Sequence, residues 1–112
     1  MPPRDWRLRV EDILNSVARI ERFTRGLVFE TFTNDERTIA AVSYELVVIG
    51  EAAKNVPPEA RTTAPAIPWQ LMSDMRNVVA HGYFGVDLSI VWQTATHDVP
   101  KLEPLLRHML ES

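Results

Sequence analysis

The spacing of apolar residues between the prolines constrains the fold more than any other feature of the sequence. From Trp6 onward, and again after Pro68, apolar residues recur at steps of three and four, as they do on one face of an α-helix. No stretch alternates apolar and polar residues as a half-buried β-strand would. The 112 residues are therefore expected to form one all-α domain, residues 1–112, built as an antiparallel bundle of four or five helices.

Two long helices are predicted in the first half of the chain. The first runs from about Trp6 to Arg25, and Gly26 follows it as a stop signal. After a short connector, Thr33 and Glu36 form a capping-box pattern that predicts the start of a second helix, which runs to about Asn55. This second helix is apolar on more than one side, so it is expected to be buried on two sides, and a partner subunit is one candidate for the second cover.

The second half is divided by proline. Residues 57–68 are predicted to be a loop with at most one helical turn. Pro68 suits the first position of a third long helix, which is expected to end near Gly82. Asp87 is predicted to cap a final helix that Pro100 kinks or divides. Trp69 and Trp92 are interpreted as core residues in these helices.

Composition excludes several classes of function. The chain has no cysteine, so disulfides and thiolate metal sites are excluded, and three scattered histidines offer no metal-ligand spacing. We therefore expect neither a metal nor a cofactor. The net charge is −3, so any contact with a nucleic acid must be local rather than spread over a basic surface. No apolar run approaches a membrane span, and we expect a cytoplasmic protein without membrane contact.

The stretch "MRNVVAHGYFGVD", residues 75–87, carries the residues best suited to chemistry. The guanidinium of Arg76 matches phosphate oxygens, and the imidazole of His81 can accept and return a proton near neutral pH. Together they suffice for metal-free RNA cleavage by the ribose 2′-OH. On an ideal helix, however, the two lie about 140° apart and roughly 7.5 Å along the axis. They converge only because both side chains are long, because the helix ends at Gly82, or because a two-fold partner brings a second pair alongside.

These residues resemble the RxxxxHxY motif of the HEPN superfamily, and the chain as a whole looks like a HepT-like toxin. The similarity extends over "IERF", "DERT", "IGEAAKNVP", "IPWQLMSDMRNVVAHGYFGVD" and "IVWQTATHDVPKLEPLL". The resemblance implies an all-α homodimer that acts as the toxin of a type VII toxin–antitoxin pair. It implies a metal-independent endoribonuclease, cutting RNA such as tRNA or mRNA at a composite dimer site, with Arg76, His81 and Asn77 as catalytic residues.

The resemblance also implies a partner and a mode of regulation. An MntA-like nucleotidyltransferase antitoxin would silence the toxin by transferring AMP to the motif tyrosine, which is Tyr83 here. Gly82 and Gly85 on either side of the Tyr83–Phe84 pair are expected to leave the phenol unobstructed. Two positions depart from the family pattern, since Tyr44 stands where many relatives have an arginine and Val47 where they often have an acid. If that arginine normally helps to hold RNA, phosphate affinity would here be weakened, or the arginines of the first helix would take over the phosphate binding.

Other interpretations of the same residues stay open. Arg76 can be an ordinary ion-pair residue, for instance with Glu51, and His81 can simply cap its helix. Tyr44, Glu51 and Asn55 share one face of the second helix and are predicted either to orient Arg76 or to form a buried polar network that fixes the register of a dimer. The alternative function is a catalytically silent HEPN helical module that binds RNA, nucleotide or a nucleotidyltransferase.

Overall fold

Helices account for the regular structure throughout the part of the chain that the computed structural model describes, residues 5–84 and 87–111. No strand occurs within these ranges, which confirms the predicted all-α class. In chain order the elements are α1 (Trp6–Thr24), α2 (Phe29–Thr33), α3 (Glu36–Lys54), α4 (Pro58–Arg61), α5 (Trp69–Ser73), α6 (Met75–Gly82), α7 (Leu88–Gln93), a π-helical turn (Thr94–Asp98) and α8 (Val99–Glu111). None of the described helices is both long and apolar enough to cross a membrane.

The first helix has the predicted bounds and a defined stop. The carboxylate of Asp5 accepts a hydrogen bond from the backbone N–H of Arg7, which satisfies one of the free donors at the start of α1. Gly26 has a positive φ of 79°, a conformation that glycine adopts without steric cost, and it follows the end of α1. The predicted apolar face is buried at Val10, Ile13, Val17 and Ile20.

The start of α3 corrects one prediction. The connector before it is itself a short helix, α2, which ends at Thr33, so the capping box predicted from Thr33 and Glu36 does not form. Asp35 caps α3 instead, because its carboxylate accepts hydrogen bonds from the backbone N–H and the hydroxyl of Thr38, at 3.0 and 2.7 Å. These hydrogen bonds, the hydroxyl first, lower the pKa of Asp35 from its ordinary value.

Helix α3 is buried on two sides, as predicted. It packs against α1 on one side and against α5 and α6 on the other, so helices of the same chain bury both of its apolar sides. Gly50 makes the second contact close: a Cβ at this position would lie 3.3 Å from the carbonyl oxygen of Met72 and 3.4 Å from that of Ser73. The close approach of the backbones brings the start of α6 against the C-terminal half of α3.

The predicted third long helix is wrong, because it is broken at Asp74. Asp74 forms a turn between the two pieces, with φ −81° and ψ −1°, so one helix ends at Ser73 and the next starts at Met75. Pro68 precedes the first piece as its N-cap and is not its first helical residue. Both pieces bury a methionine completely, Met72 in α5 and Met75 in α6. The second piece ends at Gly82, where the sequence predicted.

The final helix begins where predicted, but Pro100 does not divide it. The carboxylate of Asp87 accepts a hydrogen bond from the backbone N–H of Ser89 and so caps α7. The π-helical turn, in which the N–H of Val99 bonds to the carbonyl of Thr94, ends two residues before Pro100, which lies in the first turn of α8. The described segment stays helical through this turn. Trp92 packs its ring against Phe32 with centroids 4.9 Å apart, which confirms it as a packing residue.

Candidate functional site

Helix α6 turns its apolar side inward and its polar motif outward. Met75, Val79 and Gly82 are buried, whereas Arg76, Asn77, Ala80 and His81 are exposed. This division follows from the helical period, since residues three and four apart share a face. The described structure therefore leaves Arg76, Asn77 and His81 accessible to a ligand without any rearrangement of the core.

Arg76 forms an ion pair across helices. One of its terminal nitrogens, Nη1, lies 2.7 Å from Oε1 of Glu51 on α3. Both side chains are about half exposed, 57% and 47%, so the pair contributes at most about 1 kcal/mol to stability. A guanidinium has five N–H donors, and one carboxylate oxygen leaves most of them for a second acceptor. The contact orients Arg76 without consuming its capacity to bind phosphate.

The rest of the stripe predicted on α3 does not join this ion pair. The amide nitrogen of Asn55 donates to the backbone carbonyl of Glu51, at 2.7 Å, and so remains on its own helix. Tyr44 is 66% exposed and lies at a different cleft, described below. Within the described chain, the predicted network of Tyr44, Glu51 and Asn55 is thus neither buried nor continuous, and Glu51 is the member that contacts Arg76.

A polar groove of about 560 Å³ adjoins the motif. We call it the cationic groove because three of its residues, Lys54, Arg61 and Arg76, are positively charged, against one carboxylate, Asp74. The remaining lining residues are Gln70, Ser73, Asn77 and Ala80. His81 is not among these described lining residues, so the groove contains two of the three predicted catalytic residues.

Two of the three cations in the groove were not singled out by the sequence. Lys54 is in the last turn of α3 and Arg61 is in the short α4, and only the packing of α5 and α6 on α3 brings them beside Arg76. Arginines of α1 and its C-cap do not line the groove; Arg19 of α1 contacts Glu45, and the C-cap residue Arg25 contacts Glu21. The expectation that they assist phosphate binding has no support at this groove.

Tyr83 lies beside an apolar cleft of about 240 Å³ on another side of α6. Its ring meets that of Phe84 edge to face, with centroids 4.7 Å apart, and the two side chains are 40% and 77% exposed. The other residues that line the cleft are Ala40, Ser43, Tyr44, Val47 and Val79. Both positions that depart from the family pattern, Tyr44 and Val47, therefore lie next to the predicted acceptor of AMP.

Gly82 is required for packing more than for access to Tyr83. A Cβ at this position would overlap a methyl group of Val91 on α7 and would lie 3.1 Å from the backbone carbonyl of Asp87. The absence of a side chain thus lets the final helix dock against the end of α6. Gly85, the second glycine of the prediction, lies outside the described residues.

The residues also bear on the question of a metal. Within residues 5–84 and 87–111, no three histidines, cysteines, aspartates or glutamates are grouped closely enough to hold a metal ion. The polar groups that α6 and its end expose are a guanidinium, an amide, an imidazole and a phenol, at Arg76, Asn77, His81 and Tyr83.

Comparisons with known proteins agree with the resemblance. The family model "Ribonuclease HepT-like" matches residues 13–109. "Probable ribonuclease HepT" of Thermococcus cleftensis is 44% identical over 94 residues, which cover 84% of this chain and 86% of the relative. "Putative RNase MJ1216" of Methanocaldococcus jannaschii is 39% identical over 103 residues, 92% of this chain and 85% of the relative.

A bacterial relative shows the same extent of similarity. "Putative RNase TTE0752" of Caldanaerobacter subterraneus subsp. tengcongensis is 34% identical over 102 residues, which cover 91% of each chain. No solved structure matched the sequence significantly. Because the family model and these relatives cover most of the chain, including all of α6 and both sides of the cationic groove, the chain belongs to the HepT-like ribonuclease family.

Proposed function

We propose that this protein is a metal-independent endoribonuclease that acts in the cytoplasm, where RNA and ATP are both present. One observation carries the proposal: in a member of the HepT-like family, Arg76, Asn77 and His81 are all exposed on one short helix beside a cationic groove. A phosphodiester needs a cation to bind it and a group that transfers a proton, and α6 presents both.

The reaction requires only the substrate and these side chains. The ribose 2′-oxygen attacks the adjacent phosphorus, the bond from phosphorus to the 5′-oxygen breaks, and a 2′,3′-cyclic phosphate and a 5′-hydroxyl result. His81 takes the proton from the 2′-OH or gives one to the leaving 5′-oxygen. Arg76 stabilises the negative charge that develops on the phosphoryl oxygens, and Asn77 orients the phosphate as a neutral donor.

The separation of Arg76 and His81 supports a homodimer. Five positions on α6 correspond to about 140° around the helix, so the two side chains of one copy diverge. A two-fold partner would place the Arg76 of one copy opposite the His81 of the other, in a composite site that each chain completes. The two copies of His81 could then serve as the general base and the general acid of the reaction.

Regulation is proposed at Tyr83. Its phenol is 40% exposed at the end of α6, so a nucleotidyltransferase of the MntA type could reach it and transfer AMP from ATP. The added phosphate would bring negative charge close to the motif and repel the RNA backbone. In this proposal the protein is the toxin of a toxin–antitoxin pair, and the transferase is its antitoxin.

The second candidate function is a silent module that binds RNA, nucleotide or the transferase. The ion pair between Arg76 and Glu51 favours it, because an arginine that is held by a carboxylate can be structural. This candidate retains the cationic groove and the dimer but predicts no chemistry at His81.

Cleavage of single-stranded RNA in EDTA separates the two candidates. We expect the wild type to cut and His81→Ala to lose at least about 100-fold in rate, as is usual when a general acid–base group is removed. His97→Ala is the matched control, since His97 is also exposed but lies on the π-helical turn. Products with cyclic phosphate ends would support the proposed reaction, and equal rates for wild type and His81→Ala would reject it.

Mass spectrometry tests the regulatory site. After incubation with the proposed MntA-like transferase and ATP, the wild type is expected to gain the mass of AMP, and Tyr83→Phe to gain none. Tyr44→Phe removes the other tyrosine of the chain and should still be modified. An adduct on Tyr83→Phe would rule out Tyr83 as the sole acceptor.

A further inference from the structure

The two cations of the cationic groove that lie outside α6 have no partner within the described chain. Neither Lys54 nor Arg61 forms an ion pair with a described carboxylate, whereas Arg19, Arg25, Arg76 and Arg107 all do. The other described cations that form no ion pair, Arg9, Arg22, Arg37 and Lys101, do not line this groove. Lys54 and Arg61 instead meet at one groove, so their charges add where a single ligand can contact both.

Arg61 is already held in place. Its side chain is half-buried, and its Nε is enclosed by protein with no hydrogen-bond acceptor among the described residues. An arginine whose stem is packed loses little conformational freedom when its guanidinium binds an anion. The guanidinium of Arg61 also has no described carboxylate that would compete with an anion, whereas that of Arg76 is paired with Glu51.

The neutral part of the groove suits phosphate oxygens as well. Gln70, Ser73 and Asn77 line it, and each carries a hydrogen-bond donor. The one carboxylate, that of Asp74, accepts a hydrogen bond from the amide of Gln70 at 3.0 Å. The charged lining residues are thus three cations and one anion, in a chain whose net charge is −3.

We propose that the cationic groove is a second phosphate site, in which Lys54 and Arg61 bind the RNA backbone next to the phosphate held by Arg76. The inference rests on the proposed function for the identity of the ligand, since it assigns the groove to the flanking backbone of the same RNA strand. It makes Lys54 and Arg61 binding residues that set affinity, with no part in proton transfer.

Binding to a 2′-O-methyl RNA oligonucleotide tests the proposal, because this ligand lacks the attacking hydroxyl and cannot be cut. Fluorescence anisotropy would be measured over a range of salt concentrations for the wild type and for Lys54→Gln with Arg61→Gln. We expect about tenfold weaker binding at low salt and a slope of log affinity against log salt that is lower by roughly 1.4, since single strands contribute about 0.7 for each phosphate contact.

Matched variants make the outcome specific. Arg37→Gln with Lys101→Gln removes the same charges from exposed positions on α3 and α8, outside the groove, and should bind like the wild type. Arg61→Lys retains the charge, so this single variant, in which Lys54 is unchanged, should keep most of the wild-type affinity. Lys54→Gln alone changes an exposed residue, so it tests the groove even if replacing Arg61 impairs folding; its slope should fall by roughly 0.7.

The results separate this inference from the proposed function. Normal binding by the groove variant, an equal loss in the control, or displacement of the oligonucleotide by ATP at equal phosphate concentration would overturn the assignment to RNA backbone. If the wild type cuts RNA and the groove variant binds the oligonucleotide normally, the assignment of the groove to RNA binding is wrong but the proposed nuclease activity stands. A wild type that binds through the groove but never cuts would support the groove and reject the nuclease.

Discussion

Helix α3 contributes a glutamate to each of two contacts with arginine, and the two contacts differ in kind. Glu45 is 6% exposed and lies between α1 and α3, where it accepts a hydrogen bond from Ser16 at 2.8 Å and contacts Arg19 at 3.4 Å. Glu51, two turns along the helix, is half exposed and contacts Arg76 at 2.7 Å. In the same pair of residue types, the glutamate is buried in the packing of α1 on α3 at one position and holds an exposed arginine of the motif at the other.

Burial explains the difference. A carboxylate removed from water is costly unless it is hydrogen-bonded, so Glu45 must retain its partners for the core to stay closed. Glu51 is hydrated and can release Arg76 at little cost when a stronger anion such as a phosphate arrives. A buried ion pair is thus fixed, whereas an exposed one can be exchanged during a catalytic cycle.

The largest effect expected from this comparison is on activity. Arg76→Ala should lower the rate of RNA cleavage by about 100-fold or more, because it removes the cation that we propose stabilises the transition state. Its melting temperature should stay close to that of the wild type, since the ion pair with Glu51 is exposed. Arg19→Ala is the matched control and should cleave RNA at the wild-type rate; an equal loss of activity in both variants would contradict the distinction.

The next effect is on stability. Glu45→Ala leaves the buried hydroxyl of Ser16 without its acceptor and opens a small cavity, so we expect a loss of about 1–3 kcal/mol in the free energy of unfolding. Urea denaturation followed by circular dichroism measures this loss. The rate of cleavage per folded molecule should not change, and a neutral result in the urea experiment would show that Glu45 is not a structural residue.

Glu51→Gln should have a smaller effect than either change. The amide retains one hydrogen-bond acceptor for Arg76 but removes the charge, so the free energy of unfolding should change by less than about 0.5 kcal/mol. If Glu51 positions Arg76, kcat should fall about threefold while KM for RNA does not rise, because one repulsive charge has gone. A rise in KM with unchanged kcat would show instead that Glu51 helps to hold the substrate.

The smallest effect concerns Asp35, whose carboxylate caps the start of the same helix, α3. The pKa of Asp35 is lowered, so the charged form stabilises the folded chain above the ordinary value of 3.8, and this contribution is lost as the pH falls below it. Asp35→Asn still caps the helix but lacks the charge. Melting temperatures should therefore favour the wild type at about pH 6, and the advantage should shrink in acid; a constant difference would exclude the titration of Asp35 as its cause.

The sequence predicts most of the helices because their signals are local. Apolar spacing defines α1 and α3, Gly26 ends the first of them, and Asp87 caps the final helix. The cap of α3 is misplaced because Thr33 and Asp35 are both suitable capping residues, and the choice depends on α2. No glycine or proline adjoins Asp74, so the sequence contains no local signal for the break there. The break lies where α5 and α6 both pack on α3.

The candidate site is predicted only in part, for the same reason. Arg76, Asn77, His81 and Tyr83 are close in sequence, and a motif reveals them without any structure. Lys54 and Arg61 are more than a dozen residues away from this motif, in other helices, and no local pattern connects them to it. The contact between Arg76 and Glu51 was one of several interpretations of a polar stripe, and the structure selects it.

The tight contact at Gly82 has a consequence for any genetic screen that selects for loss of ribonuclease activity. Val91 occupies the volume that any side chain at position 82 would need, so larger residues there should loosen the docking of the C-terminal helix. In a screen for inactive variants, such replacements would be recovered together with changes at His81, the proposed proton-transfer group. Neighbouring variants would then have two different defects, faulty packing at Gly82 and loss of the proposed chemistry at His81, and assays of folding would distinguish them.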